Sequence, residues 1–204
     1  MSPIPRFYPI LDWSSFSDEH ALLAAARELV AAGVQWLQYR NKSGSARQML
    51  AHARALKPLA SETVQWIMND RADLCLAAGF DGVHVGQDDL SPESARGIVG
   101  PERWVGVSTH NPEQVAEAGR GSADYVAIGP VFATSSKANP DPVIGLAGVQ
   151  RARELTSKPL VAIGGITGAN CRSVIEAGAD SVAVISDLVH TPGKSAEEFL
   201  RVLG

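Results

Sequence analysis

Cysteine is scarce in this chain. Only Cys75 and Cys171 occur among 204 residues, far apart and without the spacing of metal ligands. That excludes a disulfide framework and leaves two free thiols, as expected in a reducing compartment. Positive charge is not in excess either: 18 Lys and Arg stand against 22 Asp and Glu, a formal net charge of -4. Nucleic acid and anionic membranes are therefore poor partners. No apolar run approaches the roughly 18 residues that span a bilayer. The opening MSPIPRFYPILDWSSF has no basic segment leading into an apolar one, so a cytoplasmic protein is expected. Linkers and low-complexity tracts are missing, and so is any G-x-G-x-x-G behind the first apolar run, the mark of a dinucleotide-binding open sheet. An acidic chain that handles anionic substrates must meet them with locally placed cations or a metal.

The remaining composition is ordinary for a globular protein, with 45% hydrophobic and 20% charged residues. Short β-type runs alternate with amphipathic helical stretches. The runs are 7–13, 34–40, 64–70, 82–86, 104–110, 124–132, 159–166 and 181–189; helical segments such as 19–32 and 46–60 lie between them. Ser91-Pro92-Glu93 and Asn111-Pro112-Glu113 each offer an N-cap, a proline at the first helical position and an acid in the first turn. Gly33, Gly79 and Gly178 follow helical runs where a left-handed cap is needed. Eight strands each followed by a helix predict an α/β fold, a single (β/α)₈ TIM barrel over residues 1–204. Function in such a barrel sits at the C-terminal strand ends.

The second run ends in QYRNK, and alternation puts Val34, Trp36, Gln38 and Arg40 on one face, with Leu37 and Tyr39 on the other. Gln38 and Arg40 then point into the mouth, with Lys42 extending the cluster. An inward arginine needs an anionic partner, either a bound phosphate or a nearby Asp. Asn69-Asp70 ends the third run and Asp88-Asp89 follows the fourth. Carboxylates on neighbouring strand ends can share Mg²⁺, which favours one or two carboxylates, waters and phosphate oxygens; helix capping is the alternative use for Asp70 or Asp89. Alternation assigns Asn69 and Asp70 to opposite faces, so at least one lies past the regular strand.

Ser108 and His110 close the fifth run on one nominal face. Ser108 reads as a hydrogen-bond donor to a ligand or as an N-cap. His110 stands ahead of Asn-Pro-Glu, where a polar residue at a helix entrance accounts for it, and no catalytic role is assigned. His84, between valines, reads as a satisfied core histidine, and His20, His52 and His190 offer no context. The loop 133–144 reads as a functional lid, with hydroxyls on Thr134, Ser135 and Ser136 and a cation on Lys137. Gly164 and Gly165 let a ligand approach the backbone, and Thr167 is positioned to open a helix facing an anion. Gly165, Ile185 and Ser186 are candidate phosphate contacts after strands seven and eight. Two anion sites on one face, one cationic and one neutral, imply group transfer or condensation.

Taken in order, QYRNK, MNDRADL, GVHVGQDDL, GVSTH, AIGPVFATSSK, AIGGI and AVIS resemble thiamine phosphate synthase along nearly the whole chain. The resemblance implies transfer of an aminopyrimidine methyl group from its diphosphate to the ring nitrogen of a thiazole phosphate, giving thiamine phosphate and pyrophosphate by a dissociative route. It implies one Mg²⁺ held by Asp70 and Asp89. Gln38, Arg40, Lys42, Asn69, Ser108 and Lys137 would hold the pyrimidine diphosphate, with Arg40, Lys42, Ser108 and Lys137 catalytic. Thr134, Ser136, Gly165, Ile185 and Ser186 would hold the thiazole phosphate. A homodimer is compatible with the resemblance.

Three positions depart from the family pattern. Ser136 stands where threonine is frequent, Ala133 where proline is common, and Asp187 where a small apolar residue is usual; alternation from Ser186 points Asp187 away from the phosphate. Competing readings are a thiazole tautomerase-like isomerase, a sugar-phosphate epimerase and a non-catalytic phosphate-ligand sensor. The first tends to lose the carboxylates and basic cluster and to carry a histidine after the strand-six glycine, where this chain has Pro130. In the others the metal and basic set would be idle.

Overall fold

In the computed structural model, residues 3–59, 64–134 and 141–204 are described. Eight parallel strands close into a barrel in chain order: β1 Phe7–Asp12, β2 Trp36–Arg40, β3 Gln65–Asn69, β4 Gly82–Val85, β5 Trp104–Thr109, β6 Tyr125–Ile128, β7 Leu160–Ile163 and β8 Ser181–Val184, which pairs back to β1. The intervening helices are α1 Glu19–Ala31, α2 Ala46–Leu56, α3 Ala72–Ala78, α4 Pro92–Val99, α5 Pro112–Arg120, α6 Gly145–Leu155, α7 Cys171–Glu176 and α8 Pro192–Leu203. The expected start signals hold: Ser91 Oγ accepts from Ser94 N at 3.2 Å and Asn111 Oδ1 from Gln114 N at 2.9 Å, with Pro92 and Pro112 in the first turns. Gly33, Gly79 and Gly178 all take positive φ.

All eight strands are shorter than expected, β6, β7 and β8 by the most; β7 covers 160–163 of the expected 159–166. β6 ends at Ile128 rather than 132, although Val131 N and Phe132 N still bond to Ile163 O and Gly164 O at 2.9 and 3.0 Å. β8 ends at Val184 rather than 189, where Ser186–Leu188 form a 3-10 turn. Val34 precedes β2 and packs outside the barrel with the helices, not on its inner face.

The core has two parts. One lies between barrel and helices and includes Leu37, Tyr39, Trp66 and Phe199; the other fills the barrel itself. Four aromatics plug that interior edge-to-face. Trp36 lies 4.9 Å from Trp104, 5.4 Å from Tyr8 and 5.7 Å from Tyr125, centroid to centroid. Glycines make the room. A Cβ on Gly106 would lie 2.0 Å from Tyr125 Cζ, and one on Gly82 would lie 2.6 Å from Trp104 Cβ. Large side chains opposite inward-facing glycines are how layers inside a small barrel fit.

At the N-terminal face one device recurs before three strands. Asp81, Asp124 and Asp180 precede β4, β6 and β8, and their carboxylates accept from Trp66 N, Val105 N and Leu160 N at 2.8, 2.7 and 2.7 Å. Each also pairs with a cation: Lys57 at 2.7 Å, Arg96, and Arg153 at 2.8 Å. Each aspartate thus ties a strand start to its neighbour and to the helix end one unit earlier. These charges all lie at the end remote from the strand C-termini.

Candidate active site

All eight strands contribute to a cavity of about 570 Å³ at the C-terminal mouth. Its floor is a chain of hydrogen bonds just above the aromatic plug. Gln38 Nε2 donates to Tyr8 Oη at 2.8 Å, Tyr8 Oη meets Tyr125 Oη at 3.1 Å, and Tyr125 Oη meets His84 Nδ1 at 3.0 Å. His84 Nε2 completes it on Ser108 Oγ at 2.9 Å. Burial pushes the Tyr8 phenol well above its ordinary range, and Tyr125 likewise. Both phenols therefore stay protonated. One proton order then satisfies the chain: Tyr8 donates to Tyr125, Tyr125 to His84 Nδ1, and the Nε2–H of His84 to Ser108. That order leaves the Ser108 hydroxyl proton for a ligand.

On the β1–β4 side the mouth is charged. Strand pairing sets Arg40 beside Asp12, and the Arg40 guanidinium pairs with the Asp12 carboxylate. Of the two partners open to an inward arginine, the protein supplies the aspartate. Lys42 Nζ lies 2.5 Å from Asp70 and 3.8 Å from Asp89. Asp89 also accepts from Gly86 N at 2.8 Å. Burial pushes the Asp70 carboxyl up to about 6; Lys42 opposes that and Asp89 adds to it. Burial works against charge at Asp89 too, yet Asp70, the Gly86 N–H and Lys42 hold it below its ordinary value.

The question of Asn69 and Asp70 resolves in the backbone. β3 stops at Asn69, and Asp70 turns at φ 62, the sole non-glycine at positive φ among the described residues, so both line the mouth. Asn69 Nδ2 is buried with no partner among the described residues, the kind of donor a ligand satisfies. Two converging carboxylates with one lysine between them fit a hard cation that completes its shell with water and phosphate. Among the described residues no group of three or more His, Cys, Asp or Glu forms an all-protein cage.

The opposite side is neutral. Gly164 and Gly165 have φ 103 and 62, and a Cβ on Gly165 would lie 2.5 Å from Ala133 O. The glycine pair is thus required by the β6 loop packed on it as well as by any ligand. Ile185, Ser186 and Thr134 also line this side. Thr167 opens no helix: α7 begins at Cys171, because Asn170 Oδ1 takes Thr167 N at 2.8 Å and closes a turn there. Asp187 is exposed, its carboxylate 3.3 Å from Gly168 N, and it is not among the cavity-lining residues.

The structure therefore brings Gln38, Arg40, Lys42, Asn69, Asp70, Asp89, Ser108, Thr134, Gly165, Ile185 and Ser186 around one cavity. Ser136 and Lys137 lie outside the described residues. His84 is satisfied as expected but forms part of the mouth rather than an anonymous core. His110 Nδ1 lies 2.8 Å from Gly129 O and 3.3 Å from Asp141 Oδ2, a position at the helix entrance as read. Asp12, Tyr8, Tyr125 and Asp141 went unread. The aspartate ending YPILD was the one available signal for Asp12; the tyrosines carry none, since facing positions are set by the barrel register.

Known proteins resemble this chain in sequence and fold. The thiamine monophosphate synthase family model matches residues 7–188. The thiamine-phosphate synthase of Koribacter versatilis is 62% identical over 203 residues, covering 98% of this chain and 96% of that protein. The thiamine-phosphate synthase of Shouchella clausii is 40% identical over 185 residues, covering 90% and 88%. Among solved structures, a thiamine phosphate pyrophosphorylase from Pyrococcus furiosus superposes with TM-score 0.86 at 32% identity, covering 97% and 95%.

Proposed function

The chain belongs to the thiamine monophosphate synthase family, and on that premise we propose how its barrel mouth makes thiamine phosphate. The substrates are the diphosphate of an aminopyrimidine methanol and a thiazole phosphate, and the products are thiamine phosphate and pyrophosphate. One observation carries this reading: a single cavity of about 570 Å³ has a charged side on β1–β4 and a neutral, glycine-lined side on β7–β8. Two different anions can then meet across it.

Arg40 and Lys42 bind the diphosphate, joined by Lys137. Gln38 and Asn69 orient the pyrimidine, and Ser108 donates the hydrogen bond that the floor leaves available. Thr134, Ser136, Gly165, Ile185 and Ser186 take the thiazole phosphate through hydroxyls and backbone. Asp70 and Asp89 would hold Mg²⁺, which supplies positive charge to the departing pyrophosphate. The need for it follows from the charge balance. Among the described residues the cavity is lined by Asp70, Asp88, Asp89 and Asp141 against Arg40 and Lys42, so a diphosphate entering without a divalent ion meets net repulsion.

The bond from the pyrimidine methylene carbon to oxygen breaks first, its electron pair leaving with pyrophosphate. The thiazole nitrogen then forms the new bond with its own lone pair. No proton moves, and no base is needed. His84 agrees with this, since both of its nitrogens are engaged. Mixing purified protein with both substrates and following pyrophosphate tests the reading. Equal thiamine phosphate and pyrophosphate, formed with Mg²⁺ and not after chelation, are expected. Release without thiamine phosphate, or equal turnover without metal, would overturn it.

A further inference from the structure

We propose that Asp12 is a positioning residue for the transfer, holding the Arg40 guanidinium toward the diphosphate from the side; this rests on Arg40 being a diphosphate ligand. Asp12 is the last residue of β1 and Arg40 the last of β2, paired across the sheet. The register puts both side chains on the inward face, with Asp12 beside Arg40 at the edge of the mouth. Arg40 lines the cavity, whereas Asp12 does not and is 4% exposed.

The carboxylate is itself fixed. Asp12 Oδ1 accepts from Ser14 N at 3.1 Å and Ser14 Oγ at 2.9 Å, so it is tied to the turn after β1, while Oδ2 takes Arg40 Nη1. With one oxygen committed to its own chain, the carboxylate cannot swing after a moving arginine; the arginine must come to it. Among the described residues the other guanidinium N–H groups have no hydrogen-bond partner within the protein. A planar fork held on one edge presents its other donors in a fixed direction, which suits bidentate capture of phosphate oxygens.

Lys42 provides the contrast. Its partners, Asp70 and Asp89, line the cavity themselves, so it is held by groups that face the ligand. Arg40 is held by a group that is not among the cavity-lining residues. The mouth therefore has one cation preset by the barrel wall and one whose partners are shared with the contents of the site. Asp12 lowers the net positive charge near the diphosphate, so its contribution must be direction rather than attraction. That gives a sign by which position and charge separate.

The probe is pyrophosphate with Mg²⁺, titrated into the folded protein, with thiazole phosphate as the comparison ligand. Asp12→Ala should weaken pyrophosphate about tenfold, the scale of one lost charge-assisted contact. Thiazole phosphate affinity should change less than twofold. Asp12→Asn keeps an acceptor for Arg40 without the charge, and should hold pyrophosphate within about threefold of the parent. In an Arg40→Ala background, Asp12→Ala should cost nothing further, because the partner it acts through is gone. Equal loss of both ligands in Asp12→Ala, equal weakening by Asn and Ala, or a further loss in the Arg40→Ala background would each overturn the proposal. If Arg40→Ala itself leaves pyrophosphate affinity unchanged, the assignment of Arg40 as a diphosphate ligand fails instead.

Discussion

Replacing Gly165 by alanine tests how the neutral side of the mouth is built. Gly165 sits at φ 62, and an added Cβ would lie 2.5 Å from Ala133 O and 2.8 Å from Phe132 Cβ. The first penalty is conformational, about 1–2 kcal/mol for an L side chain in the left-handed region. The second is steric. The obstructing segment cannot retreat freely, because Val131 N and Phe132 N are bonded to Ile163 O and Gly164 O at 2.9 and 3.0 Å. Forcing a methyl into packed surroundings costs about 1–3 kcal/mol. Together these lower the melting temperature by something on the order of 10 °C for a chain of this size. Gly33→Ala is the control, since Gly33 has φ 93 with nothing within 4 Å of its Cβ, and it carries the conformational cost alone. Gly165→Ala should therefore melt below Gly33→Ala. Calorimetric titration should also show thiazole phosphate affinity reduced at least about tenfold, with pyrophosphate affinity unchanged. Equal melting of the two variants would refute the packing argument, and equal loss of both anions would refute the two-sided mouth.

Asp89→Ala should depress turnover by on the order of 100-fold or more, while His110→Ala stays within a few-fold of the parent; steady-state rates showing the reverse pattern would reassign the chemistry to a base. Asp187→Ala should leave thiazole phosphate affinity nearly unchanged, because its carboxylate lies against Gly168 N outside the cavity; a large tightening in titration would show that it repels the ligand. Asp124→Ala removes the partner of Arg96 and the acceptor of Val105 N. It should cost about 2 kcal/mol in denaturant unfolding with kcat and both KM values preserved, and a loss of activity in folded protein would argue against separate faces.

Periodicity and caps carried most of the fold. Eight apolar runs with Pro-Glu starts at 92–93 and 112–113 and glycine stops at 33, 79 and 178 leave little choice but repeated β/α units. The errors fell where local chemistry imitates an element. Val131 and Phe132 look like strand because they continue to hydrogen-bond to the β7 segment after β6 has ended. Thr167 looks like a cap because Thr-Gly-Ala-Asn is a turn rich in capping residues, and Asn170 uses that capacity first. Within the site, strand alternation was enough for Gln38 and Arg40, whose faces are fixed by Leu37 and Tyr39 packing outward. It was not enough for Arg40's partner. Asp12 is 28 residues away in sequence and adjacent only through the β1–β2 register. Tyr8 and Tyr125 meet over 117 residues for the same reason.

The floor of the mouth links that hidden layer to the chemistry. On the dissociative route proposed above, a pyrimidine cation released between two anions must meet the thiazole nitrogen before it meets water, so water has to be excluded from below as well as above. Trp36, Trp104, Tyr8 and Tyr125 close the barrel beneath the cavity, and they fit because Gly82 and Gly106 carry no side chain where the rings lie. The upper surface of that plug is then the edge of two phenols, which would be an unsatisfied polar layer if left alone. Gln38 and His84 satisfy it from either side and pass the last free donor to Ser108. Gly106→Ala ought to break this arrangement at its centre: Tyr125 must move, and with it the bonds to Tyr8 and His84. If the variant folds with the His84–Ser108 contact intact, as an imidazole NMR signature would show, the plug does not set the floor. If thiamine phosphate yield per pyrophosphate released falls and the hydrolysed pyrimidine alcohol rises, the plug is what keeps the cation from water.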